Sequence, residues 1–135
     1  MINLEDDIDA IEAGYEFLLA YAAQGRPPQD ESGPGPHPRP ELEKMLAAMQ
    51  NAIEALTAAE GDFEKIILDD LRKARGAVSF VLSQKLLGSE IIDNLNASIH
   101  LRTVLTDFFL YSEAAQPTPN APQGTGQGQW EKVGN

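Results

Sequence analysis

The chain is 135 residues long, contains no cysteine and carries a formal net charge of -11 at pH 7. The missing cysteines exclude disulfides, thiolate metal sites and cysteine nucleophiles, and they favour a reducing, cytoplasmic location. The acidic balance argues against nucleic acid and anionic membranes as partners, because both attract concentrated positive charge.

The first residues carry no sign of export. The sequence from Met1 to Asp7 lacks the basic residue and the following apolar run of a secretory signal. Apolar runs between charged residues, such as 17–25, are far shorter than the roughly 20 residues that cross a bilayer. We therefore predict a cytoplasmic protein that does not enter the membrane.

Residues 4–24 have the period of an amphipathic helix. Acidic residues crowd the first turns, where the helix dipole favours negative charge, and Gly25 supplies a stop. The apolar positions alternate spacings of four and three, which predicts one buried face. These positions are Leu4, Ile8, Ile11, Tyr15, Leu18 and Ala22.

Residues 25–40 form a proline-rich segment. It holds six prolines and three glycines, including an alternating run from Pro34 to Pro40. Proline fixes φ and removes a backbone donor, so regular helices and strands do not continue through such a segment. We predict an extended, exposed and flexible linker between the first and second helices.

Three further helices are predicted between this linker and residue 115. The second helix covers about 40–60 and ends at Gly61, and the third covers 62–87. The fourth helix covers 89–115, so that Gly88 lies in a tight helical hairpin between the third and fourth helices.

The predicted architecture is all-α, a four-helix bundle over residues 1–115 that includes the 25–40 loop. Residues 116–135 are low in complexity and rich in Pro, Gly, Gln and Thr, which predicts a disordered tail. Trp130 is the one bulky apolar residue of the main low-complexity run, and it is a candidate contact for a partner protein. A neutral tail is the alternative.

Two arginines fall where a helical core stripe should carry Leu or Ile. On a helical wheel, Arg102 lies about 20° from Leu95, and Arg75 lies about 40° from Leu71. In an antiparallel hairpin about Gly88, the two arginines reach the same level near the middle of the bundle. A desolvated charge without a partner costs several kcal/mol, so a negatively charged group should lie close to the two arginines.

The candidate partners of these arginines are Asp7 and Tyr15 on the first helix, with Glu60 as a further acid. One interpretation is a buried ion-pair network, or arginines whose long stems reach water. A second is an anion-binding site, in which two guanidinium groups hold a carboxylate or a phosphate. A third is a homodimer interface through this face.

The sequence indicates no metal, no cofactor and no catalytic set. A di-metal bundle needs inward Glu residues and Glu-x-x-His pairs, but the chain has only His37 and His100. His37 lies in the linker, and His100 shares a polar wheel face with Asp107, which we expect to be the solvent side. Acylation motifs and glycine-rich nucleotide loops are also missing.

These observations favour a small, acidic, non-enzymatic protein that binds another protein. Its expected role is that of an adaptor, an assembly factor or a secretion-type chaperone. The alternative is an anion-binding ligand sensor or a small helical enzyme with a bundle pocket at Arg75 and Arg102.

Overall fold

The computed structural model describes residues 2–115, and within them the chain forms five α-helices. The all-α prediction is confirmed, whereas the predicted count of four helices is not. The predicted tail, with Trp130, lies outside the described residues. The helices are α1 (Glu5–Ala22), α2 (Pro38–Leu56), α3 (Asp62–Leu82), α4 (Ser89–Ala97) and α5 (Ile99–Ala115).

Two of the helices begin with side chains that accept otherwise free backbone N–H groups. The Asn3 Oδ1 atom accepts the Glu5 N–H at 3.0 Å before α1. At the start of α3, the Glu64 Oε1 atom accepts the Gly61 N–H at 3.2 Å. Both first turns also carry acids, which the helix dipole favours. Local sequence therefore accounts for both starts.

The fifth helix arises because the backbone becomes extended at Ser98, with φ -65° and ψ 143°. The Ser98 N–H and hydroxyl groups donate to the Leu95 carbonyl oxygen at 3.2 and 2.8 Å, which closes the end of α4. The prediction of one continuous helix over 89–115 is therefore corrected. The helices on the two sides of the break have different neighbours. Before it, α4 packs mainly against α1, and after it, α5 packs mainly against α3.

The break also changes which side of α5 is buried. One extended residue interrupts the advance of about 100° per residue, so wheel positions counted along α4 do not apply to α5. Leu101, Val104 and Phe108 are buried, whereas Ile99 and Arg102 are exposed. Arg102 therefore lies outside the core, contrary to the wheel prediction.

All five helices contribute to one apolar core. Its fully buried side chains include Tyr21, Met45, Met49 and Phe108, so the two methionines fill the interior. Helix α1 approaches α2 closely at Gly14, where an added Cβ atom would lie 2.2 Å from the Met45 Cγ atom. The missing side chain at this position is what lets the methionine pack there.

The proline-rich loop is docked on the bundle. The Arg26 N–H donates to the Ser89 Oγ atom at 2.8 Å, and the Ser89 N–H donates to the Arg26 carbonyl oxygen at 2.8 Å. Gln29 and Leu87 exchange two backbone hydrogen bonds of 3.2 and 3.1 Å, as in a short antiparallel bridge. The loop therefore follows the connection between α3 and α4, unlike the extended linker that its composition predicts.

Arg39 joins the end of this loop to the end of α3. Its Nη1 atom donates to the Leu82 carbonyl oxygen at 2.8 Å, and its Nη2 atom donates to the Gln84 carbonyl oxygen at 2.7 Å. Its Nε atom lies 3.6 Å from the Glu31 carboxylate within the loop. Carbonyl groups at a helix C-terminus lack helical partners and carry partial negative charge, and the guanidinium group answers both conditions.

We expect Arg39→Ala to lower the free energy of unfolding by about 2 kcal/mol, because hydrogen bonds from a charged group are lost. Arg39→Lys should recover little of this, since an ammonium group lacks the planar fork that reaches two carbonyl groups. Urea unfolding followed by circular dichroism measures the change. Arg102→Leu is the control: Arg102 is exposed, so its effect should be below about 0.5 kcal/mol. Equal losses in both variants would refute the role of Arg39.

We expect Gly88→Ala to destabilise the protein. An added Cβ atom would lie 2.7 Å from the Pro28 nitrogen and 2.8 Å from the Pro27 carbonyl carbon, so the loop backbone must shift, at a cost of roughly 1–3 kcal/mol. Gly76→Ala in α3 is the matched control, because its added Cβ atom meets nothing within 4 Å. Better helix propensity should stabilise that variant by up to about 1 kcal/mol. Thermal unfolding should show Tm shifts of opposite sign, and a Gly88→Ala variant as stable as wild type would argue against the docked loop.

Candidate functional site

One face of the bundle collects most of the large exposed apolar side chains. Seven such side chains occur in the described residues, and five of them lie on α3 and α5. Phe109 is about 160° from Asp107 around α5, on the side away from α3, whereas the other four, 51% to 67% exposed, follow the contact between the two helices. Apolar side chains that are grouped in this way, unlike scattered ones, mark contact surfaces. The four form, with two acids between them, what we call the α3/α5 face: Ile66, Asp70, Phe80, Ile99, Asp107 and Leu110.

The pairing of α3 with α5 fixes the layout of this face. The Tyr111 hydroxyl group donates to Glu64 near the start of α3, and Asp107 meets Asp70 further along α3. Residue numbers therefore fall along α5 as they rise along α3, so the two helices are antiparallel. The acid pair lies about one helical turn from the Ile66 end of this contact, since Asp70 is four residues from Ile66 and ten from Phe80.

The apolar residues lie on either side of the acid pair. Ile66 and Leu110 are at one end of the α3/α5 face, and Phe80 and Ile99 are at the other. At a rise of 1.5 Å per residue, Ile66 and Phe80 are about 21 Å apart along α3. The outer side of α3 follows spacings of four and three through Ile66, Asp70, Lys73, Ala77 and Phe80.

Hydrogen bonds hold the Ile66 end of the face. The Tyr111 Oη atom donates to the Glu64 Oε2 atom and accepts the Ile2 N–H at 3.1 Å. Glu64 also accepts the Gly61 N–H, so one carboxylate joins the start of α3 to the end of α5. Burial, and then the neighbouring Glu64, raise the pKa of Tyr111, so the phenol remains a donor throughout the neutral range.

Asp107 is a buried carboxyl group that faces a second carboxyl group. The residue is 7% exposed, and its Oδ2 atom has no hydrogen-bond donor among the described residues. Its neighbour across the helix contact is the half-buried Asp70. Burial, a hydrogen bond shared with Asp70 and repulsion by that carboxylate raise the pKa of Asp107 to about 7. The pair therefore holds a proton for part of the time at neutral pH.

A shallow groove of about 420 Å³ opens on α5 beside Asp107. Arg102 lines this groove, but it is exposed and forms no ion pair within 4 Å among the described residues. Lys73 of α3 pairs instead with Asp69, with 3.5 Å between Nζ and Oδ2. Neither of these cations neutralises Asp107. The groove is lined by Ile99, Arg102, Thr103, Thr106 and Asp107.

Arg75 and Arg102 lie on different surfaces. Arg75 is half-buried, and its Nη1 atom donates to the Gln50 Oε1 atom of α2 at 2.9 Å. Its long stem thus carries the charge past the edge of the core to an exposed amide. Arg102 is on the outer side of α5 because of the break at Ser98. The structure does not bring the two guanidinium groups together as one anion site.

The other two predicted members of that site lie on α1. Asp7 is half-buried, and burial raises its pKa although Asn51 of α2 hydrogen-bonds its carboxylate. Tyr15 is partly buried and packs against the core. In the described part of the chain, Asp7 forms no ion pair with an arginine. Among the described residues, Arg75, Arg102, Asp7 and Tyr15 form no ion pair or side-chain hydrogen bond with one another.

Residues 2–115 contain neither a cluster of metal-binding side chains nor a helix that could span a membrane. No group of three or more His, Cys, Asp or Glu side chains is placed there to hold a metal ion. The Nε2 atom of His37 lies 2.8 Å from the Gly33 carbonyl oxygen within the loop, and His100 is half-buried on α5. No helix over these residues combines the length and the apolar character that crossing a membrane requires.

A second cavity, of about 590 Å³, lies between α1, the loop and α4. Its polar lining includes Ser89, whose hydroxyl group donates to the Tyr21 carbonyl oxygen at 2.7 Å and accepts the Arg26 N–H. That hydroxyl group is therefore already used to attach the loop. We assign this cavity to the architecture of the fold.

Comparison with known protein families, with curated proteins and with solved structures finds no match for this chain. A role for the α3/α5 face must therefore follow from its own geometry and chemistry.

Asp70 is not among the site residues predicted from the sequence, and Asp107 is predicted to lie on the solvent side of its helix. Asp107 is instead buried, because the break at Ser98 rotates α5 relative to α4. One signal in the sequence was available: Ile66 and Phe80 lie off the buried stripe of α3 and yet share a four-three spacing with Asp70.

We expect Asp107→Asn to change how stability depends on pH. The folded state keeps a proton on Asp107 up to about pH 7, whereas the unfolded chain releases it near pH 4. Because the folded state binds more protons in this window, wild-type stability should fall as pH rises from about 4 to about 7. The variant should lose this slope and exceed wild type by roughly 1–4 kcal/mol near pH 8.

The matched control for this prediction is Asp69→Asn. Asp69 is exposed, adjoins Asp70 in sequence and pairs with Lys73, so its removal should leave the wild-type slope in place. Urea unfolding of the three proteins at a series of pH values measures the slopes. Parallel stability curves for wild type and Asp107→Asn would show that Asp107 ionises normally.

Proposed function

We propose that this protein is a non-enzymatic interaction module that binds an amphipathic helical segment of another protein on the α3/α5 face. The observation that carries the proposal is that four large exposed apolar side chains lie on either side of a pair of acids, of which Asp107 is buried and Asp70 half-buried. An adaptor, an assembly factor or a secretion-type chaperone would hold its partner through such a face. Trp130 remains a hypothesis for a second contact.

The dimensions of the face suit a single helix. Two antiparallel helices present a furrow between their exposed rows, and the apolar ends of this one are about 21 Å apart. An incoming helix spans that distance in about 14 residues. Recognition of this kind places the apolar anchors of the incoming helix at spacings of three and four residues.

The charge of the protein favours a basic partner. A net charge of -11 attracts a basic segment at long range, and it opposes the approach of a second copy with the same charge. The acid pair adds a short-range preference of the same sign, because Lys73 already pairs with Asp69 and Arg102 forms no ion pair within residues 2–115. We therefore assign the face to a basic amphipathic segment in preference to a homodimer.

Affinity isolation from native cells with an Ile99→Ser/Leu110→Ser double variant tests the proposal. Loss of two apolar anchors, one at each end of the face, should lower recovery of a specific partner by at least about tenfold if each contributes about 1 kcal/mol to binding. Leu19→Ser is the matched control, because Leu19 is similarly exposed but lies on α1. Quantitative mass spectrometry compares what each variant retains.

All three substituted residues are exposed, so the variants should fold, which circular dichroism verifies. A partner recovered equally by wild type, the double variant and Leu19→Ser would rule out docking on the α3/α5 face. A partner lost only with Leu19→Ser would instead move the contact to α1 and its acidic residues.

A further inference from the structure

The central feature of the α3/α5 face is its pair of carboxyl groups. We infer that Asp70 and Asp107 together bind one Lys or Arg side chain, and that this side chain belongs to the docked partner segment. The inference rests on the proposed function, because it names the residue type that the segment places beside the acid pair.

Two carboxyl groups in contact require a positive species between them. The Asp107 Oδ2 atom is buried without a donor in the described chain, and the neighbouring Asp70 is itself an acceptor. In the free protein a proton occupies this place below about pH 7, because two ionised carboxylates in contact repel each other. An ammonium or guanidinium group can replace the proton, since it donates to both carboxylates and keeps its charge.

The nearest cations of the chain itself hold other positions. Lys73, one turn from Asp70, pairs with Asp69 at 3.5 Å. Arg102 lines the same groove as Asp107 but is exposed, and it has no ion-pair partner within 4 Å in residues 2–115. No cation within residues 2–115 therefore pairs with either acid within 4 Å, and the Asp107 side chain lines the groove.

A side chain suits this place better than a metal ion does. Calcium takes roughly six to eight oxygen ligands and magnesium about six, whereas residues 2–115 offer no set of three metal-binding side chains. Exposed apolar residues, Ile66 and Ile99, lie on α3 and α5 to either side of the pair. Such surroundings favour the methylene stem of Lys or Arg and the apolar neighbours that flank it on a helix.

Two synthetic helical peptides test this inference. Both carry Leu at the apolar positions of an amphipathic helix, and they differ only in a central Lys or Gln. Wild type should bind the Lys peptide at least about tenfold more tightly, because a charge pair at a desolvated site is lost with Gln. The preference should disappear in Asp107→Asn and persist in Asp69→Asn, whose acid is exposed and paired with Lys73. Isothermal titration calorimetry near pH 8 gives each Kd.

The outcomes distinguish the inference from the proposed function. A Lys preference that Asp107→Asn abolishes and Asp69→Asn retains supports the inference, and Asp70→Asn replaces Asp107→Asn if that variant does not fold. Equal Kd values of wild type for the two peptides would overturn the inference. If the Ile99→Ser/Leu110→Ser variant then bound neither peptide, the proposed docking face would still be supported. Failure of both peptides to bind would overturn both proposals. A Tm rise with calcium chloride that is lost in Asp107→Asn, without a Lys preference, would assign the pair to a metal ion.

Discussion

The contact between Arg39 and the end of α3 holds the connections of the bundle together. The guanidinium group donates to carbonyl oxygens at Leu82 and Gln84, which no helical N–H group reaches. At the other end of the same loop, Arg26 and Ser89 hydrogen-bond through their backbones and the Ser89 hydroxyl group. The loop therefore ties the end of α1 and the start of α2 to the connection between α3 and α4. Without these contacts, the last carbonyl groups of α3 would have only water as a hydrogen-bond partner.

The position of α5 depends on this closure. Ser89 fixes the start of α4 against the Tyr21 carbonyl group of α1, and α4 is only 9 residues long before the break at Ser98. The break thus falls within the bundle, where α5 turns against α3. A single extended residue therefore decides that Leu101 is buried and that Ile99 is exposed. The apolar row of α5 on the candidate face is a direct result.

The sequence predicts the helices well and the phase of the last one poorly. Capping, glycine stops and four-three spacing are local properties, and they locate α1, α2 and α3 to within a few residues at most ends. Ser98 is neither Gly nor Pro and is compatible with a helix, so nothing local marks the break. A wheel continued across it buries Arg102 and exposes Asp107, the reverse of what the structure shows. The docking of the 25–40 loop was equally beyond local patterns, because its hydrogen bonds join residues distant in sequence.

The acid pair differs from the other buried polar residues because it does not stabilise the fold. Two other buried polar residues, Ser89 and Asn96, donate to carbonyl groups of α1 and so support the fold. No group among the described residues donates a hydrogen bond to the Asp107 Oδ2 atom, so an ionised Asp107 destabilises the free protein. On the docking face that we propose, the apolar residues alone would accept amphipathic helices of many sequences, because apolar contact is not directional. A cation placed between the carboxyl groups would relieve an existing cost, whereas a neutral residue would leave it in place. The proposal therefore assigns the discrimination between partners to an unfavourable group within the face, and the affinity to its apolar residues.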